Sequence, residues 1–203
     1  YQEIKSKNKI DASNKTYEKH ELVSLKTLQN KNIREVGAES LCYQAFSQLR
    51  IAEYLRSRKW SDEQINLAST HIISRAVYPA SEYKTVSWIK DNSSFCELTN
   101  YPIEKVSKDK LYGISKKLYE EKKGLENFLS KCTNELFNLE DKIILYNLTN
   151  TYFEGRMKDS KIGKFGRSKE KRSDAKLIVL ALIVNTEGFL KYSDIFEGNT
   201  SDS

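Results

Sequence analysis

The sequence predicts an α+β protein, with a helical region first and a group of strands after it. Three observations carry this. Apolar residues recur at helical spacing from about Glu39 to Leu139. After Glu140 the pattern becomes short, apolar, β-branched and extended. The tetrapeptide "NTEG" at 185–188 then separates two extended runs, as a hairpin turn does. No segment repeats at a fixed period.

Three regions follow: a polar lead-in at 1–36, a helical region at 37–140 and a strand region at 141–203. The lead-in is dominated by Lys, Asn, Ser and Glu, so it has little apolar surface to bury. The first helix runs from Glu39 to about Arg58, with Leu41, Ala45, Leu49 and Ala52 as its apolar stripe. "SDEQ" opens the second: Ser61 caps it, Gln64 stands three residues on, and Asp62 and Glu63 face the positive end of the helix dipole. Its stripe is Ile65, Ala68, Ile72 and Ala76, and it closes at Tyr78 because a residue before proline avoids helical geometry. A shorter helix at 81–90 turns Trp88 and Ile89 inward and ends at the polar "DNSS" stretch. From Ser107 a long helix places Leu111, Ile114, Leu118, Leu125, Phe128 or Leu129, Cys132 and Leu136 on one face, weakened only at Gly124.

The strands are "KIILYNLT" at 142–149, "KLIVLALIVN" at 176–185 and "FLKYSDIF" at 189–196. The second is a continuous apolar run suited to burial on both faces, and it pairs with the third as a hairpin. Alternation along the first puts Ile144, Tyr146 and Leu148 on one face and Ile143, Leu145, Asn147 and Thr149 on the other. Asn147 and Thr149 thus share a side near the strand's end. Such polar groups mark a site or simply bond to neighbouring loops.

Between the first two strands, residues 156–176 carry nine basic residues, Arg156, Lys158, Lys161, Lys164, Arg167, Lys169, Lys171, Arg172 and Lys176. Three acids, Asp159, Glu170 and Asp174, oppose them, so the local excess of six equals the formal net charge of the chain, +6. A Gly- and Ser-punctuated basic loop suits a phosphate backbone, where each neutralised phosphate releases counterions. A solvated surface loop has the same composition, and Lys, Asn, Ile and Tyr are abundant throughout, so charge leaves both readings open. Phe165 adds one ring that stacks or packs.

Cys42, Cys96 and Cys132 are odd in number and far apart, which predicts reduced thiols, a cytosolic setting and no structural zinc. His20 and His71 are isolated and read as surface or core residues. No apolar run approaches the roughly 20 residues of a membrane span. The start has neither a signal-peptide h-region nor an initiator Met, so further sequence is expected upstream.

Three stretches resemble the DDE transposases of bacterial insertion sequences, whose catalytic domain is ribonuclease H-like. They are "LYNLTNTYFEG" at 145–155, "KFGRSKEKRSDAKLIVLALIVNTEGFLKYSDIFEGNTSD" at 164–202 and, more loosely, "RAVYPASEYKTVSWI" at 75–89. The resemblance implies a helical region that helps bind DNA, followed by the first three strands of an incomplete ribonuclease H-like mixed domain. It implies two Asp and one Glu holding two Mg²⁺ ions, which activate water and then a DNA 3′-hydroxyl. The family's first Asp stands in an Asp-x-Thr setting, and the matching residue here is Asn147, two before Thr149. An amide lacks the charge that bridges two dications. The second Asp and the Glu lie beyond the "EGNTSD" segment in the family, and Asp141 and Glu154 do not match them. The expectation is therefore a truncated transposase with no intact metal site and no bound Mg²⁺. Its partner is double-stranded DNA at transposon ends, contacted by Lys164, Arg167, Lys169, Lys171 and Arg172. Location in a bacterial cytoplasm, on the nucleoid when DNA-bound, and a homodimer are further implications. A non-catalytic DNA-binding regulator derived from such an enzyme is the alternative.

Overall fold

The computed structural model describes residues 29–140, 144–153, 159–166 and 174–200. Arg34–Ser203 form one compact unit and Tyr1–Ile33 another. Of the latter, residues 29–33 are described and are exposed. The class is α+β: seven α-helices among the described residues, then a three-stranded antiparallel sheet. The helices are α1 (Gly37–Gln48), α2 (Ile51–Ser57), α3 (Asp62–Val77), α4 (Glu82–Asp91), α5 (Phe95–Leu98), α6 (Lys108–Glu120) and α7 (Lys122–Phe137).

The first expected helix is two. Arg50 adopts a left-handed conformation (φ 53°) that no helix continues through, and α2 restarts at Ile51. Its guanidinium donates to Glu135 at 3.3 Å and lies 3.8 Å from the Cys132 sulfur, so the break is held against α7. The first half of the expected stripe is also rotated. Leu49 and Ala52 pack against the core as expected, but Leu41 is 69% exposed and Ala45 is exposed, and their places inside are taken by Phe46, which is buried, and by Cys42 and Tyr43, which pack against the core. Tyr43 meets Phe95 edge-on at 5.6 Å and lies near Phe46 at 6.4 Å. Two aromatic rings bury far more surface than Leu41 and Ala45 could, and they set the inward face.

Helix α3 begins as the sequence predicts. Ser61 Oγ accepts from the Gln64 amide at 3.3 Å and Gln64 Oε1 accepts from the Ser61 amide at 3.0 Å. Ser61→Ala is expected to lower stability by about 1 kcal/mol, read as a shift in the urea midpoint with unchanged slope. The helix is buried over more of its circumference than a single stripe: Ile65, Leu67, Ala68 and Ile73 are inside together with Ser69, Thr70 and Ser74, while Ala76 is exposed. The three hydroxyls return hydrogen bonds to Asn66 and His71 carbonyls, which removes the cost of burying them.

The long helix expected from Ser107 breaks at Glu121, three residues before Gly124. Arg58 holds the Glu121 carboxylate at 3.0 Å, and the break lets α7 lay Phe128 on Tyr54 at 4.7 Å. Gly124 sits where a Cβ would overlap the Tyr54 hydroxyl, so its smallness serves this approach. The resulting core contains Leu55, Ile73, Ile89, Val106 and Leu111, all at most 1% exposed. Each such side chain contributes roughly 1.5–3 kcal/mol on burial.

The strands are β1 (Ile144–Tyr152), β2 (Leu177–Asn185) and β3 (Leu190–Glu197), in the order β1-β2-β3. Ile144 pairs with Asn185 and Tyr152 with Leu177; Ile178 pairs with Glu197, with an irregularity at Ile183/Val184. On one face of β2, Leu177, Val179, Ala181 and Asn185 are buried. The other face, Ile178, Leu180, Leu182 and Val184, is only half-buried, so the expectation of burial on both sides holds for one. Helix α7 packs against β3: Phe137 meets Phe189 at 5.0 Å, Ser193 donates to Glu126, and Lys122 donates to the Ser193 carbonyl. β1 forms the other edge, with Ile144 58% and Tyr146 59% exposed. Among the described residues, no helix is long and apolar enough to cross a membrane.

Candidate nucleic-acid interface

The pairing of β1 with β2 places Asn147, Thr149, Thr151 and Leu145 on one face, as the alternation predicts. Asn147 lies in mid-strand, since β1 runs on to Tyr152. Its Nδ2 donates to Thr149 Oγ1 at 3.4 Å, and both residues are exposed. Directly across stand Leu182 on β2 and then Ser193 on β3. Asp194 pairs with Ala181, which pairs with Leu148, so it belongs to the opposite face. There it accepts from Tyr192 Oη at 3.2 Å and from the Ile195 amide at 2.9 Å, and the bond to Asp194 pushes the Tyr192 phenol up. Glu126 reaches the Asn147 face two strands away, where it is engaged by Ser193 and by Lys122 at 3.3 Å.

Two dications need bridging carboxylates. Asn147, Thr149, Leu182 and Ser193 offer an amide, two hydroxyls and a hydrocarbon, and this set does not fit such a pair. Among the described residues no group of three His, Cys, Asp or Glu has the geometry to hold a metal. Asp141 and Glu154 lie outside the described residues, as does His20. His71 is buried in α3, and that burial pulls its imidazole below the ordinary range. Cys42, Cys96 and Cys132 are free thiols, Cys96 pushed up to about 11 by burial.

The basic loop is built differently. Arg167, Lys169, Lys171 and Arg172 lie outside the described residues, but the two ends that carry them are placed. Lys164 is exposed and its backbone pairs with Leu177, N to O at 3.1 Å and O to N at 2.9 Å. The Gly198 amide donates to Ile162, and the Phe153 amide to Lys176. Gly198 is buried where a Cβ would overlap the Leu177 and Lys164 carbonyl oxygens, and a Cβ on Gly166 would overlap the Gly198 carbonyl. The glycines of "KFGR" and "EGNT" therefore touch, and with the Lys164–Leu177 bridge they form a closed stem. Sequence reasoning passed over both, since only the tertiary approach shows why they are small. The stem and Asn147 are not adjacent: Leu177 and Leu182, their partners on β2, are five residues apart, about 16 Å along the strand.

No family model, curated protein or solved structure matches the chain.

Proposed function

We propose that this chain is a DNA-binding protein of DDE-transposase type that grips duplex DNA through the loop at 164–176 and does not cut it through Asn147. The observation that carries the reading is the closed stem: nine basic residues against three acids cluster in 156–176, and Lys164, Gly166, Leu177 and Gly198 fix the base of the loop. A loop with a fixed base loses less freedom on meeting a phosphate backbone, so more of each Lys or Arg contact is kept as affinity. A meander led by a strand with Asn147 and Thr149 on one face is consistent with the resemblance of its sequence to the transposases. The amide at Asn147, facing Leu182 and Ser193, favours a regulator or targeting component over a nuclease.

The test is a salt series of duplex binding. The unmodified chain should lose affinity steeply with salt, and replacing Arg167, Lys169 and Arg172 together by Ala should flatten log Kd against log salt by about three units. An unchanged slope would make the loop a solvated surface and remove the reading.

A further inference from the structure

A second feature lies in the helical region, on α4 and the turn before it. Tyr83, Lys84, Ser87, Trp88 and Asp91 fall at i, i+1, i+4, i+5 and i+8, which places them along one stripe of α4. The opposite stripe, Thr85 and Ile89, is buried in the core. Together with Tyr78 and Asn92 the outer stripe lines a cleft of about 370 Å³, within the roughly 300–1,000 Å³ range of ligand clefts. Tyr78 and Trp88 stack nearly parallel, 5.1 Å apart at 10°, with Tyr78 still 37% exposed, and Tyr83 is 68% exposed. Three aromatic rings meet at one solvent-facing cleft, and two of them already stack on each other, an arrangement that another flat ring can extend.

The polar groups suit such a guest. Asp91 supplies acceptors and Asn92 both a donor and an acceptor, the pair of functions that reads a hydrogen-bonding base edge. Lys84 is exposed and makes no ion pair among the described residues, whereas nearby Arg75 is engaged by Glu82 at 2.8 Å and by the Ala80 carbonyl. The wall is fixed in advance: the Asn92 amide donates to Trp88 O at 2.9 Å, the Glu35 amide donates to Asn92 O at 2.8 Å, and the Tyr78 amide donates to Ser74 O at 2.7 Å. Asp91 repels phosphate, so the cleft centre suits a base, with the phosphate directed to Lys84.

We infer that this cleft is a subsite for an unpaired nucleobase, which stacks beside Tyr78, Tyr83 and Trp88 while Lys84 meets the adjoining phosphate. The inference rests on the reading of the chain as a DNA-binding protein, and it adds a preference for DNA with an unpaired end or a displaced base. The experiment compares a blunt duplex with the same duplex carrying a short 3′ overhang, using the full chain. The overhang should raise affinity about tenfold, in the range of a stacked base. It should also quench tryptophan emission, because Trp60 is buried and Trp88 is the ring at the cleft. Tyr83→Ala should remove most of that gain and Tyr83→Phe should keep it; the exposure of Tyr83 makes both variants safe for folding.

Equal binding of blunt and overhung duplex, or a gain that survives Tyr83→Ala, overturns the subsite and leaves the duplex interface standing. Tyr83-dependent binding of a single-stranded oligonucleotide without duplex binding supports the subsite and overturns the duplex interface. Quenching by a free monosaccharide but not by oligonucleotide overturns the subsite in favour of a sugar site.

Discussion

Gly198→Ala is expected to open the base of the basic loop and cost about 3 kcal/mol. The added Cβ would overlap two carbonyl oxygens, those of Leu177 and Lys164, and both belong to backbone that is itself paired. A flexible side chain could swing away, but paired backbone moves only by giving up its hydrogen bonds. Overpacking of this kind costs roughly 1–3 kcal/mol, occasionally more, and the upper end applies because the Lys164–Leu177 bridge must yield as well. Limited trypsin digestion reads the result, since Arg167, Lys169, Lys171 and Arg172 fall between Gly166 and Leu177 in the sequence. Cleavage there should accelerate relative to sites in α6 and α7, and duplex affinity should fall while far-ultraviolet helix content stays constant. If digestion in the loop is unchanged, the glycine contact does not hold the stem.

Leu111→Ala should be strongly destabilising, lowering unfolding free energy by about 2–5 kcal/mol. Leu111 is 0% exposed on α6, facing the cluster that contains Leu55, Ile73 and Ile89. Helices α3, α4 and α6 all meet in this core, so the cavity left behind cannot be closed by moving one helix alone. Urea denaturation followed by circular dichroism would show the midpoint falling with little change in slope. A loss below 1 kcal/mol would mean that the core collapses around the missing atoms and is looser than described.

What the sequence revealed and what it hid divide along a physical line. Helix α3 was legible because its start is written locally: Ser61 and Gln64 bond each other across one turn, and Pro79 bars continuation. The strands were legible because nine-residue apolar or alternating runs have few other uses. The breaks at Arg50 and Glu121 were hidden because neither is a helix breaker by type; each turns where a partner, Glu135 or Arg58, holds it. The inward face of α1 was misassigned because apolar spacing alone did not weigh two rings against Leu41 and Ala45. Trp88 and Ile89 both turn inward as expected: Ile89 is fully enclosed, and Trp88, half-buried, packs against the core while also stacking on Tyr78 at the surface cleft. For the candidate interface, charge composition located the loop. It could not show that Gly166 and Gly198, over thirty residues apart, meet to close it.

The geometry of β1 has a consequence for synthesis. The strand has no charged residue, proline or glycine between Ile144 and Tyr152, and its hydrogen-bonding partner begins only at Leu177. At ribosomal rates of roughly 5–20 residues per second, β1 waits on the order of seconds before β2 exists to pair with it. During that interval Ile144, Leu145 and Tyr146 have no sheet, and an uncharged extended segment is the sort that pairs with whatever strand it meets. The helical core, made of shorter-range contacts and complete by then, folds ahead of it. The vulnerable interval in the synthesis of this chain is therefore the time taken to make residues 153–176, when β1 has been made and its partner has not.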